Sequence, residues 1–124
     1  MWSSRLLAVL LMLAPLGATA DRPAPPRVNV TGVFQSNWDE VRLVQRGDVV
    51  TGTYVCCGGG TIEGRIYKDR VLRYRWTQPG AEGRGVWTIQ GPDRLEGTWG
   101  IEADDAGGGR WDLERTSRAP EIAQ

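Results

Sequence analysis

The sequence predicts an all-β protein: an eight-stranded antiparallel up-and-down meander that closes into a small barrel. A five-residue pattern (apolar, polar, small or aromatic, polar, large apolar) recurs at 30–34, 50–54, 62–66, 72–76 and 95–99. Such alternation with a period of two residues is typical of a strand with one buried face. Turn-forming residues separate these segments roughly every ten residues, which is the spacing of a small barrel. Closure of the sheet also removes the exposed edges that an open meander would present.

The first twenty residues predict a signal peptide rather than a part of the fold. Arg5 provides a positive charge, residues 6–13 form a short apolar stretch, and Ala18-Thr19-Ala20 is a small-residue cleavage site. The apolar stretch is shorter than the roughly 20 residues that a membrane span needs. We therefore expect an exported protein, periplasmic or secreted, with no membrane span after cleavage of the signal peptide.

The remaining chain is long enough for one domain. Residues 21–27 contain three prolines and are expected to form a Pro-rich leader, 28–115 the barrel, and 116–124 a flexible tail. The alternation and the turn residues predict strands at 28–35, 41–45, 49–56, 61–67, 71–76, 85–90, 95–101 and 110–115.

Two short loops fix the expected strand pairing. A three-residue loop at 68–70 places Gly64 opposite Tyr74 and Arg65 opposite Arg73, and a loop at 91–93 places Trp87 opposite Gly97. A large ring that faces a glycine on the neighbouring strand covers the bare backbone and recovers packing there.

The inward positions predicted by this pairing are rich in aromatic side chains. An eight-stranded barrel is just wide enough to be filled by its side chains or to hold one small ligand. A filled core and a tryptophan-lined pocket both remain open at this point. The candidate ligand-binding residues are Tyr54, Tyr74, Trp76, Trp87, Trp99 and Trp111.

The composition argues against several functional classes. The chain has 15 basic and 15 acidic residues and no histidine, so the commonest general base and metal ligand is missing. Basic residues alternate with acidic ones along the chain, which makes nucleic acid an unexpected partner. No nucleophile–base pair is visible. We therefore expect a protein that is not an enzyme, with no cofactor and no metal site.

Cys56 and Cys57 are adjacent and are the only cysteines. In an exported protein they are expected to be oxidised, which predicts a vicinal disulfide at the end of the third strand. Strand alternation would place Cys56 inward at the barrel rim and Cys57 outward. Free or partner-linked thiols and a thiolate metal site are the alternatives.

The segment from 30–34 through 50–54 resembles the opening of the avidin and streptavidin barrel, a calycin-type fold. In both, a Thr-Gly strand ending in an aromatic residue precedes a turn, an apolar strand and a Thr-Gly-Thr-Tyr strand. Later strands carry recurring tryptophans, as in that family. The resemblance implies a small-ligand site in the barrel, with only Tyr54, Ser36 and Asn37 available as polar contacts for biotin. The loop after the third strand, Cys57-Gly58-Gly59, is too short to form the lid that closes over biotin in that family, so biotin itself is not expected. The repeated pattern also resembles that of small exported bacterial barrels with no established role.

Three functional hypotheses follow. The first is an exported, non-enzymatic barrel that binds a small apolar or aromatic molecule in its tryptophan-lined interior. The second is a protein-binding module, such as a periplasmic protease or lysozyme inhibitor, with Trp38 in the surface formed by 35–40 and 55–60. The third is a thiol redox or metal role for Cys56 and Cys57.

Overall fold

The structure, a computed structural model, describes residues 26–118. The expected signal peptide, most of the leader and the end of the tail lie outside these residues. Eight antiparallel strands form one closed barrel in which each strand pairs with its neighbours in the chain and the last pairs with the first. The predicted fold class is confirmed. The strands are β1 (Gly32–Ser36), β2 (Asp39–Arg46), β3 (Val49–Tyr54), β4 (Gly60–Tyr67), β5 (Val71–Gln78), β6 (Ala81–Ile89), β7 (Arg94–Ile101) and β8 (Gly109–Ser117).

A short 3-10 turn, Cys56–Gly58, connects β3 to β4. Within the described part of the chain, no helix is long and apolar enough to cross a membrane.

The predicted register is confirmed at both hairpins. Gly64 pairs with Tyr74 across β4 and β5, and Trp87 pairs with Gly97 across β6 and β7. Arg65 lies opposite Arg73, a mildly unfavourable pair of like charges. The Arg65 guanidinium instead forms an ion pair with Asp48 at 3.1 Å, so its charge is partly compensated.

The start of β6 differs from the prediction. The strands predicted at 71–76 and 85–90 leave residues 77–84 as a connecting loop, but β5 continues to Gln78 and a two-residue turn, Pro79-Gly80, leads directly into β6. Gly80 has a φ of +80°, which suits the third position of a four-residue turn with proline in the second. The inward positions at the start of β6 are Ala81, Gly83 and Gly85, which are too small to show an apolar alternation in the sequence.

The rings of the core follow one repeated arrangement. Tyr74 and Trp76 of β5 pair with Gly85 and Gly83 of β6, and each ring passes over its glycine. The Tyr74 hydroxyl then donates to the Thr98 carbonyl of β7 at 3.0 Å. The Trp76 indole N–H donates to the Gly100 carbonyl of the same strand at 3.0 Å.

Two further rings span three strands in the same way. Trp87 of β6 pairs with Gly97 of β7 and donates its indole N–H to the Trp111 carbonyl of β8 at 3.0 Å. Tyr54 of β3 passes over Gly60 of β4 and reaches Gln78 of β5. Inward glycines therefore leave room for Tyr54, Tyr74 and Trp76 to cross one strand and bond to the next.

The first strand begins at Gly32 rather than at residue 28, because the preceding segment crosses one end of the barrel. The Val30 N–H donates to the Gln45 side-chain carbonyl at 2.9 Å, and the Gln45 amide donates to the Val28 carbonyl at 3.0 Å. The backbone N–H groups of Arg27 and Val28 both donate to an Asp69 carboxylate oxygen. Side chains thus replace the ladder partners that this segment would have in a strand.

Arg115 of β8 completes this closed end. Its side chain is only 4% exposed and forms an ion pair with Asp93 at 2.9 Å. Its guanidinium also donates to the carbonyls of Asn29, Thr31 and Pro92, and it lies 5.1 Å from the centre of the Phe34 ring. The last strand ends at Ser117, two residues beyond the expected end of the barrel at residue 115.

The outer wall brings several arginines together. Arg75 pairs with Arg84 across β5 and β6, next to the Arg65–Arg73 pair. The premise that basic residues are dispersed among acidic ones is therefore wrong for this wall, because alternation along the chain does not determine which residues face each other across strands. The expected absence of a nucleic-acid partner stays a prediction.

Candidate functional site

The end of the barrel opposite the crossing segment is open and contains a cavity of about 170 Å³, which we call the mouth cavity. It lies between the β1–β2, β3–β4 and β5–β6 turns and the end of β7. Five aromatic side chains line it: Trp38, Tyr54, Trp76, Trp99 and Trp111. The other lining residues are Cys56, Cys57, Gln78, Ala81 and Ile101.

The centre of the barrel beneath this cavity is filled. Tyr74 stacks on Trp87 with ring centres 4.0 Å apart, and Trp87 is fully buried. Trp111 makes edge contacts with both rings and separates them from the cavity. Four of the six candidate ligand-binding residues therefore lie at the mouth cavity, whereas Tyr74 and Trp87 lie in the packed core below it. The barrel interior is therefore filled by side chains at its centre and hollow at its mouth.

Hydrogen bonds hold most of the cavity indoles in place. Trp76 bonds to the Gly100 carbonyl, Trp111 donates to the Ser36 hydroxyl at 3.0 Å, and Trp38 donates to the Arg110 carbonyl at 3.0 Å. Trp99 is the exception: its ring nitrogen is buried and finds no acceptor among residues 26–118. Because these rings are fixed before a ligand arrives, they form a rigid apolar wall.

The cysteines form the predicted vicinal disulfide. The third strand nevertheless ends at Tyr54, two residues earlier than expected, because adjacent side chains of a strand point to opposite faces and their sulfurs cannot then be bonded. Cys57 instead adopts a φ of +67°, within the 3-10 turn. Cys56 packs against the core while Cys57 is exposed, yet both line the mouth cavity. Cys56 is thus inward and Cys57 exposed, as expected, although Cys57 also reaches the rim of the cavity.

Tyr54 and Gln78 provide the polar contact at the rim. The Tyr54 hydroxyl donates to the Gln78 side-chain carbonyl at 2.7 Å. Burial raises the pKa of Tyr54 to about 12, so the hydroxyl stays protonated at neutral pH and remains a donor. Burial also raises the pKa of Tyr74 in the core below.

Trp38 lies in the β1–β2 turn, but contacts with the cavity wall hold its side chain in place. Its side chain is 41% exposed. Its ring meets the Trp99 ring in an edge-to-face arrangement with ring centres 5.8 Å apart. Its indole N–H donates to the Arg110 carbonyl of β8. Trp38 is therefore a part of the cavity wall as well as a surface residue.

Ser36 and Asn37, the other polar candidates, are already occupied. The Ser36 hydroxyl accepts from Trp111 and from the Trp38 backbone, and it donates to the Asp39 carbonyl at 2.6 Å. The Asn37 amide donates to the Arg110 carbonyl, and its oxygen accepts from the Asp112 N–H at 2.8 Å. The Ser36 hydroxyl is thus fully used, and both ends of the Asn37 amide are held against β8.

No three His, Cys, Asp or Glu side chains within residues 26–118 lie close enough to hold a metal ion. A larger depression of about 470 Å³ lies at the closed end, beside the crossing segment. Arg115 and Arg118 line it, and both are held by Asp93. The mouth cavity is therefore the better candidate site.

The closed antiparallel barrel of eight strands fits a calycin-like fold in general. Comparison of the chain with protein-family models, with curated proteins and with solved structures finds no match. Sequence reasoning missed Gln78, Ala81 and Ile101 as lining residues. Gln78 and Ala81 flank the Pro79-Gly80 turn, which was the one available signal that they lie at a barrel end.

Proposed function

We propose that this protein is an exported, non-enzymatic barrel that binds a small aromatic or apolar ligand in the mouth cavity. The observation that carries the proposal is a cavity of about 170 Å³ lined by five aromatic rings and a disulfide. The signal-peptide pattern at 1–20 and the disulfide both support export.

The size of the cavity limits its occupant. An apolar cavity of roughly 150 Å³ in another protein holds benzene, whereas pockets for drug-sized molecules start at roughly 300 Å³. The occupant is thus expected to be a single ring with a small substituent. The resemblance to the opening of the avidin barrel supports a small-ligand role, but the occupied Ser36 and Asn37 side chains argue against biotin.

Toluene is expected to bind the mouth cavity saturably, with a Kd of about 1 mM or below. The titration is followed through the indole N–H signals in NMR spectra. Toluene should shift the signals of Trp76, Trp99 and Trp111. The Trp87 signal should move less, because this ring lies in the core and its N–H is bonded to β8.

A matched pair of variants tests the location. Ala81→Phe adds a ring inside the cavity and should abolish toluene binding, whereas Glu82→Phe adds the same ring on the exposed face of β6 and should not. Unchanged binding by Ala81→Phe, or no saturable shift in the wild type, would contradict the proposal.

A second candidate function is a protein-binding module, because the rim of the mouth is apolar and exposed. Val55 and Ile101 are 55% and 53% exposed and lie at the same end of the barrel as the exposed Trp38. Such a cluster is more typical of an interaction surface than scattered apolar residues are. Trp38 itself is an ambiguous probe, since its removal also breaks the bond to Arg110 and the contact with Trp99.

Under this second function, the purified protein inhibits a lysozyme or a trypsin-like protease, and Val55→Glu raises the inhibition constant at least tenfold. Val55 does not line the mouth cavity, so toluene binding and the melting temperature should be unchanged. Val49→Glu, at an exposed position near the opposite end of β3, is the control. The absence of inhibition by the wild type, or equal effects of both variants, would refute the second function. A redox role for the Cys56–Cys57 bond stays a hypothesis.

A further inference from the structure

The polar groups of the mouth cavity are almost all used within the protein. The indole N–H groups of Trp38, Trp76 and Trp111 donate to protein acceptors, as described above. The Trp99 nitrogen is shielded from solvent by its surroundings. The Tyr54 hydroxyl is also occupied, because it donates to Gln78. The remaining polar group of the cavity lining is the amide nitrogen of Gln78.

The Gln78 amide is oriented by Tyr54. In this orientation Oε1 is the end of the amide that accepts from the Tyr54 hydroxyl, and both N–H groups of Nε2 remain for other acceptors. Within residues 26–118 no group accepts a hydrogen bond from Nε2. Gly60 makes this arrangement possible, because a β-carbon at that position would overlap the Tyr54 hydroxyl.

We propose that Gln78 is a specificity residue that donates a hydrogen bond from Nε2 to the bound ring. The mouth cavity would then prefer planar rings that carry an acceptor, such as a carbonyl or a ring nitrogen, over hydrocarbons of the same shape. This inference rests on the proposed small-ligand function. It adds the chemical class of the ligand and one residue that selects it.

The preference arises because the rest of the wall is apolar. A ligand carbonyl that enters the cavity loses its hydrogen bonds to water, and this loss is unfavourable unless a donor replaces them. Gln78 is half-buried at the rim, so its amide can meet the polar edge of a ligand whose ring stacks on the indoles. A net hydrogen bond of this kind changes affinity by about 2- to 10-fold.

Ethylbenzene and acetophenone form a suitable pair of probes, because they have nearly the same shape and differ in one carbonyl. Their dissociation constants are measured for the wild type, Gln78→Leu and Gln78→Glu. We expect Gln78→Leu to weaken acetophenone by about 2- to 10-fold and to leave ethylbenzene unchanged or slightly tighter. Gln78→Glu, whose ionised side chain only accepts hydrogen bonds, should weaken acetophenone at least as much.

The Gln78 side-chain amide signals provide a direct measurement in the wild-type protein. They should shift more with acetophenone than with ethylbenzene, because both phenyl rings perturb nearby signals but only the ketone accepts a hydrogen bond. Thr77→Leu changes the exposed neighbour on β5 and serves as the control, with both affinities retained.

Equal changes for both probes in Gln78→Leu, or no change for either, would overturn the role of Gln78 while leaving the ligand-binding function intact. Failure of both probes to bind the wild type would overturn that function and this inference with it.

Discussion

Arg115→Met is expected to lower the free energy of unfolding by about 3–5 kcal/mol, because it removes the buried partner of several acceptors at once. The Arg115 side chain is 4% exposed, and its guanidinium joins Asp93 of the β6–β7 turn to the carbonyls of Asn29 and Thr31. Without it these carbonyls lose their donor, and the crossing segment loses one of its attachments. Urea denaturation, followed by tryptophan fluorescence, measures the change.

Arg118→Met is the matched control, since Arg118 also bonds to the same Asp93 oxygen at 2.9 Å but is 66% exposed. An exposed ion pair contributes at most about 1 kcal/mol, so this variant should remain close to the wild type. Arg115→Lys should not restore stability, because an ammonium group lacks the planar fork that reaches acceptors on several sides. Similar decreases in the free energy of unfolding for Arg115→Met and Arg118→Met would show that the buried network stabilises the barrel no more than an exposed ion pair does.

Gly85→Ala is expected to destabilise the barrel by about 3 kcal/mol, combining overpacking with the loss of one buried hydrogen bond. A β-carbon at this position would overlap the Cζ and Oη atoms of Tyr74 and would lie 2.6 Å from the Thr98 carbonyl. The Tyr74 ring would have to leave Thr98, and its stack on Trp87 would shift with it. Chemical denaturation again provides the measurement.

Gly80→Ala separates steric from backbone effects. Gly80 has no neighbour within 4 Å of a β-carbon but has a φ of +80°, so alanine there meets only a backbone penalty of roughly 1–2 kcal/mol. If Gly80→Ala were the more damaging of the two, the arrangement of rings over glycines would not be the source of stability that we infer.

The fold could be predicted from the sequence because alternation and turn chemistry are local signals. The register at Gly64–Tyr74 and Trp87–Gly97 followed from two loop lengths alone. The location of the tryptophans in the interior also followed from their parity along the strands. How deep each tryptophan lies along the barrel axis could not be predicted, because the alternation shows only which face of the sheet a side chain is on. It cannot separate Trp87, in the core, from Trp76, at the cavity.

Other features depend on partners that are distant in the chain. Arg115 has the same inward parity as Trp111 and Leu113, but its burial is stabilised by carbonyls more than 80 residues away. Gln45 likewise continues an apolar alternation with a polar residue, which only its bonds to the crossing segment explain. An inward polar residue at a strand end is therefore a signal that sequence reasoning could have used.

The crossing segment also determines how the domain can be attached to something else. Arg27 is held by Asp69 and Arg118 by Asp93, so both ends of the described domain emerge at the end remote from the mouth cavity. A tether joined to either end, whether to a bead, a sensor chip or a second domain, starts on the far side of the barrel. Immobilised protein should therefore present its aromatic opening to the solution.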